Sequence, residues 1–478
     1  MTESVYISNN KYNVIKKLGS GVYGRVYKVQ DENGKNYALK ISKKDIASFI
    51  EVDLMMKINH PHIVKAYDIK IDDINLYLLE EYCEYNLSTV IINNSLDDKI
   101  RIIFQIGIAL QFLLDNNIVH CDVKPSNILI NENDKIKVGD LGIASHISLF
   151  DNDRECEAEY YRAPEYLRDK YNIKNNDVKK SFLNRNIIQG EIWSFGMLCL
   201  DILFGREAFL IEKNCRPMSI TMIDGIGIIP YINKKEKPKS EYRDIINLIV
   251  NKLLEVDISK RVKSFNEFLQ DDIFLSKNFQ LIPNIGIFNI NDGKKLDIIK
   301  ENINDFWMAN HWLLELLTQF SMPNIICFSI MEFIKCKWNK YTSNKKTIQL
   351  FIVAVLYLVY RIYKNDEISL EDLSYVSGNQ YKPEEIEKKV YEIFMRENGI
   401  IINLTLYDYL QSAQMLEIVL DMIINNDSKY YEYDSKNLAN LIILNETNYE
   451  TNNRISKDKI EFVEMMEKHM NELGEKLS

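Results

Sequence analysis

Asp122, Lys124 and Asn127 fall within six residues, in the run Ile118 to Asn127 that reads I-V-H-C-D-V-K-P-S-N. A carboxylate, an ammonium and a carboxamide so close together can move a proton beside a charged group. The same residue types around Pro125 also make an ordinary surface turn. The choice depends on whether the other parts of a phosphate-handling site follow in order. Gly19, Gly21 and Gly24 form G-x-G-x-x-G in the stretch L-G-S-G-V-Y-G-R-V, and glycines let backbone amides approach phosphate oxygens without a Cβ in the way. Lys40 ends Y-A-L-K, Glu51 sits in a helical pattern, and Asp140 stands in G-D-L-G, 18 residues after Asp122.

The elements that must hold these groups are legible from spacing. Residues 12 to 40 alternate short β-rich runs with turn signals, among them the turn Asp31-Glu32-Asn33-Gly34. A strand, not a helix, follows Gly24, which removes the dinucleotide-binding competitor of this glycine motif. Ile46 to Ile58 has helical period, with Phe49, Val52 and Met56 on one face and Met55 and Ile58 on the next. It stops ahead of Pro61. Residues 74 to 83 read as a buried strand running into a connector, and 98 to 117 as a buried helix. Ile128 to Val138 read as a short hairpin just before Asp140.

Taken in order, these segments resemble the protein kinases over roughly residues 12 to 275. The resemblance implies an α+β bilobal fold, with a small β-rich N-lobe at about 12–82 and a mostly helical C-lobe at about 83–275. It implies ATP and Mg2+ as cofactors and proteins as substrates. Asp122 would accept or orient the substrate hydroxyl proton, Lys124 would steady the γ-phosphate, and Asn127 and Asp140 would bind magnesium. Lys40, partnered by Glu51, would hold the α- and β-phosphates beneath Gly19, Gly21 and Gly24. Val26 and Ala38 would line the nucleotide site, and backbone groups of Glu81 and Cys83 would meet the adenine edge. Lys124 favours serine or threonine over tyrosine. Glu165, in Y-R-A-P-E, would pair with Arg261 beneath the activation segment at 143–162. Glu51, Asn59-His60-Pro61 and Arg162 point toward the cyclin-dependent kinases.

Several positions depart from that family. Glu80 stands at the back of the nucleotide pocket where an apolar residue is usual, leaving it to pair with Lys40 or to stay protonated. Cys121 replaces the arginine before the aspartate, and Asp153 stands where an activating phosphothreonine is expected. A phosphate switch needs both partners, so activity without activation-loop phosphorylation is the expectation. Ala158 replaces a threonine, and Glu191 replaces the aspartate of D-x-W-S-x-G. These departures keep a second reading open, a pseudokinase scaffold. Residues 167 to 190 read as a loop extension.

Residues 276–300 read as a linker and 301–478 as an all-helical domain. Helical periods fall at 303–320, 324–338, 345–363, 369–376, 383–396 and 405–425, with a polar helix at about 456–475. Residues 303–410 resemble a cyclin box, its central apolar helix ending in Arg361, Glu387 or Glu392 as its acidic residue, and T-L-Y-D-Y-L closing it at 405–410. That resemblance implies a kinase activated in cis by docking of its own C-terminal domain; a generic docking or dimerisation module is the alternative. A net charge of -10 argues against a nucleic-acid surface. Leu350 to Tyr360 is too short to span a bilayer, and the N-terminus has no signal peptide. Seven scattered cysteines without a C-x-x-C pair fit an intracellular setting, cytoplasmic or nuclear.

Overall fold

The computed structural model describes residues 4–21, 24–44, 46–90, 95–147, 159–166, 187–204, 242–277, 279, 303–320, 322, 324–342, 347–363, 368–399 and 401. The chain divides into two units, 1–288 and 289–478. Most of the expected linker, Asp153, Ala158 and the helices at 405–425 and 456–475 lie outside the described residues.

The first unit opens with β1 (Ser4–Ile7), β2 (Asn10–Gly21), β3 (Gly24–Gln30) and β4 (Asn36–Lys43). After α1 (Ile46–Lys57) come β5 (Ala66–Ile71) and β6 (Asn75–Glu81). All pairs are antiparallel, in the order β1-β2-β3-β4-β6-β5. The β3–β4 turn closes because Asp31 Oδ1 accepts from the backbone of Asn33 (2.9 Å) and Lys35 (2.8 Å), with Gly34 at φ 83°. One face of the sheet buries Ile7, Tyr12, Val29, Leu39 and Leu79. β1 is an addition that the opening residues did not announce. It and β5 are the two edges of the sheet, yet Ser8 Oγ donates to Asp68 Oδ1 at 3.0 Å, so the sheet curls until its edges meet.

Helix α1 buries Phe49, Val52 and Met55, whereas Met56, placed on its buried stripe by spacing, is only partly buried. Glu51, Asp53 and Lys57 are buried as well. Covered on more than one side, the helix keeps its charges in pairs, Lys57 to Asp53 at 2.5 Å among them.

The helical lobe is built on α2 (Leu96–Asp115) and α3 (Ile187–Phe204). Ser95 caps α2, its side chain accepting from Asp98 N at 3.2 Å. Residues 187–190, expected in a loop, form the first turn of α3, because Ile187 and Gln189 have buried places to fill. In length and composition α3 could cross a membrane, but most of it is buried within this lobe, Trp193, Phe195 and Leu198 completely. A Cβ on Gly196 would come within 2.8 Å of Leu253 and Leu254. Around these two helices lie α4 (Arg243–Lys252), α5 (Phe265–Leu269) and α6 (Asp272–Leu275). The chain joining the lobes contributes β7 (Cys83–Asn86), which pairs with the hairpin of β9 (Ile128–Asn131) and β10 (Ile136–Val138). β8 (Ile118–Val119) pairs with β11 (Ser145–His146). These two small sheets bracket the Asp122 loop.

Among its described residues the second unit holds five helices in sequence, α7 (Ile303–Gln319), α8 (Asn324–Tyr341), α9 (Ile348–Tyr363), α10 (Leu370–Val376) and α11 (Pro383–Arg396). The apolar run at 350–360 is core helix: α9 is buried nearly all round. Tyr341 stacks on Phe351 and donates its hydroxyl to Glu397 at 2.7 Å; Lys337 and Lys340 pair with the same carboxylate. Arg361 lies over the Tyr357 ring, while Glu387 accepts from Tyr391 and Glu392 pairs with Lys389 and Arg396.

Candidate active site

Across an antiparallel ladder paired residues share a face, and residues two apart return to it. The register Val26↔Lys40↔Leu78 and Ala38↔Glu80 therefore sets Val26, Ala38, Lys40 and Glu80 on one side of the sheet. Lys40 Nζ lies 2.5 Å from Glu51 Oε1 and 3.1 Å from Asp140 Oδ1. Burial by itself would lower the Lys40 pKa; the charges of Glu51, Asp140 and Glu80 outweigh it and raise the value. For Asp140 burial pushes upward and Lys40, outweighing it, holds the carboxyl below its usual range.

The second cluster is the Asp122 loop. Asp122 Oδ2 accepts from Asn127 Nδ2 at 2.8 Å and lies 2.6 Å from Lys124 Nζ. Asp122 Oδ1 is buried and has no hydrogen-bond partner. Asn127 Nδ2 also donates to the Asp122 carbonyl at 2.9 Å, which leaves its amide oxygen as the end that could face a cation. The two clusters are wired together through Gly139, whose N–H donates to Asn127 O at 2.9 Å and whose carbonyl accepts from His120 Nε2 at 3.0 Å. His120 is fully buried and its pKa is lowered, by burial above all.

Both loops hold a non-glycine residue at left-handed φ, Cys121 at 66° and Asp140 at 61°. Such backbone costs about 1–3 kcal/mol and persists only where surroundings impose it. At Cys121 the constraint is visible: its N–H donates to Glu191 Oε2 at 2.7 Å. The glutamate that replaces aspartate thus fastens the Asp122 loop to α3. Beneath the activation segment Arg261 meets Glu165 at 2.8 and 3.3 Å, donates to the Gln189 and Glu255 carbonyls, and lies over the Trp193 ring. His120 and the Glu191–Cys121 link were not assigned these tasks from sequence. The signal available was a histidine two residues before the aspartate and an acid opening W-S-F-G.

Gly19 and Gly21 face open space where a side chain would stand, so their backbone is free to approach a ligand. Gly24, at φ 135°, would put a Cβ 2.4 Å from Ile41 O. Glu81 and Cys83 flank Tyr82 where the lobes join. Glu81 gives its N–H to Lys65 O at 2.8 Å and its carboxylate to Asn131 and Lys137. Burial pushes the Cys83 thiol up to about 12. The Glu80 side chain forms no hydrogen bond or ion pair among the described residues, Lys40 being engaged by Glu51 and Asp140. Burial, reinforced by Glu51 and opposed by Lys40, pushes its pKa up to about 8. Of its two expected ways out, protonation fits the structure.

Among the described residues no three His, Cys, Asp or Glu side chains gather as a metal cage. A magnesium ion does not need one: it keeps several waters and takes one or two protein oxygens beside substrate phosphates. Asp140, its side chain 39% exposed, and the Asn127 amide oxygen fit that demand.

A two-lobed fold with a lysine–glutamate pair, a glycine hairpin and an aspartate–asparagine loop defines a phosphotransferase cleft. Residues 12–274 match the protein kinase domain, and the chain belongs to that family, whose cofactors are ATP and Mg2+. The chain is similar to the human serine/threonine-protein kinase ULK3, with 30% identity over 275 residues, 53% of this chain and 52% of that protein. It is also similar to the serine/threonine-protein kinase ssn3 of Aspergillus terreus, with 32% identity over 185 residues, 33% of this chain and 42% of that one. The chain spans about half the length of the curated relatives it matches.

Proposed function

We propose that the protein is an ATP-dependent serine/threonine protein kinase, similar to the cyclin-dependent kinases and acting on protein substrates. The observation that carries this is the partition of Asp122: Oδ2 is held by Asn127 and Lys124, while the buried Oδ1 has no partner. That free oxygen is suited to orient the substrate hydroxyl and take its proton. Lys124, already beside it, offsets charge on the transferred group. Lys40, fixed by Glu51, holds the other phosphates, and Asn127 with Asp140 would hold the magnesium. ATP with its magnesium supplies the phosphoryl group. The serine/threonine preference is supported by Lys124 and by the names of the similar proteins.

Control is proposed to lie in the C-terminal domain. Cys121 offers no guanidinium for a phosphate, and the five helices of 303–396 around a buried α9 suit a cyclin-like module. Tethered on the same chain, such a module would dock at roughly millimolar effective concentration and hold Glu51 toward Lys40. The site is proposed to work in an intracellular setting, with no nucleic-acid or membrane partner.

The test is transfer of labelled phosphate from Mg2+-ATP to a panel of proteins by the full chain and by Asp140→Ala. Transfer by the parent and its near abolition in the variant is the expected result. Equal transfer by both would refute the assignment. Nucleotide binding with no transfer to any protein would favour a pseudokinase scaffold.

A further inference from the structure

Glu80 has no task in the chemistry described so far. It lies across from Ala38 of β4 on one side and from Ala66 of β5 on the other. Both neighbours present only methyl groups, so neither can hydrogen-bond a carboxyl. Three charged groups bear on it: Lys40 on β4, Glu51 on α1 and Asp140 after β10. The only cation of the three is held by the other two acids, at 2.5 and 3.1 Å. Lys28, a further cation of this sheet face, sits over the Tyr82 ring at 4.2 Å. The result is a glutamate only 9% exposed as a residue, on the face that carries Val26, Ala38 and Lys40, its carboxyl with no partner of its own among the described residues.

A buried polar group without a partner is costly, and a ligand that supplies the missing hydrogen bond recovers that cost. Held as the neutral acid, Glu80 offers one O–H donor and one carbonyl acceptor. In the nucleotide-site reading above, a base whose edge meets the backbone of Glu81 and Cys83 would have its position-6 substituent beside the residue just before them. An aliphatic side chain there would meet that substituent with nothing, and an ionised carboxylate would serve only a donor. A neutral acid serves both kinds.

We propose that Glu80 hydrogen-bonds the position-6 substituent of a purine nucleoside triphosphate in this cleft, and so admits 6-oxo as well as 6-amino purines. This rests on the nucleotide-site reading above. Backbone at Cys83 still distinguishes the two bases at N1, so ATP binds the more tightly.

The probes are ATP and inosine triphosphate, competed against a fluorescent ATP analogue on the full chain, a binding measurement that needs no turnover. Wild type is expected to bind the inosine nucleotide within about tenfold of ATP. Glu80→Leu, or Glu80→Met should the first not fold, weakens both nucleotides about tenfold, the worth of one hydrogen bond. Glu80→Gln, which keeps a donor and an acceptor, holds both wild-type affinities. Thermal melting of each variant reports the fold separately. Wild-type affinity for either nucleotide in the apolar variants, or wild-type discrimination beyond about a hundredfold (~3 kcal/mol), would overturn the proposal. Failure of ATP itself to displace the analogue from wild type would remove the nucleotide-site reading, and the proposal with it.

Discussion

The two oxygens of Asp122 occupy different surroundings, and substitutions can separate their parts. Asp122→Asn keeps the side chain's shape but removes its capacity to take a proton, so kcat should fall about 10²–10⁴-fold with little change in KM for ATP, read by steady-state transfer assays. Glu80 makes a prediction of opposite kind. Its folded pKa is raised from 4.5 to about 8, so the folded state binds its proton more tightly than the unfolded state does. By linkage, stability drawn from that proton is present below 4.5 and is lost as pH rises through 8. Glu80→Gln should therefore gain melting temperature over wild type between pH 5 and 8, with the gap levelling above 8. A constant gap across that range would contradict the assignment. At this scale the motif residues are legible because each is tied to a short local pattern. The Glu191–Cys121 link, 70 residues apart, is set by how α3 passes the loop, which no local pattern encodes.

Among the elements, the β2–β3 hairpin carries the sharpest contrast. Gly24→Ala must fit a Cβ 2.4 Å from the Ile41 carbonyl at φ 135°, and backbone strain alone costs about 1–3 kcal/mol. Gly21→Ala meets nothing in the protein, so its effect should fall on nucleotide affinity. Denaturant midpoints and nucleotide titrations of the two variants would separate these effects. Strands β3, β4 and β6 and helices α1 and α2 are legible as elements, since alternation and helical period are written into them. The buried face of α1 is read less well. Period favours Met56, yet Asp53 and Lys57 are buried too, because one ion pair lets both be covered. β1 has too few residues for alternation to stand out, and it forms because Ile7 completes the cluster around Tyr12 and Leu79.

Across the whole molecule, the Arg261–Glu165 pair ties together segments 96 residues apart, with side chains 0% and 2% exposed. Arg261→Ala leaves a buried carboxylate and two carbonyls without their donor, and should cost about 3–5 kcal/mol, measured by denaturant unfolding. That pairing is legible from motif order; the division of the chain at 288 falls inside the segment 276–300, whose Pro283, Gly286 and Gly293 read as a linker. Ending the chain near residue 280 tests control in cis. The expected product is a folded kinase of much lower activity, restored by adding residues 281–478 as a separate chain. Full activity without them would refute self-activation.

The Ser8–Asp68 bond has its own consequence at this scale. A ribbon laced along both borders has no loose hem from which to fray. Amide protons of β1 and β5, which in an open sheet would trade with solvent strand by strand, should instead exchange together, at the rate at which the whole hoop opens. Cutting the lace with Ser8→Ala should show first as quickened exchange in β5, far along the sequence from the change.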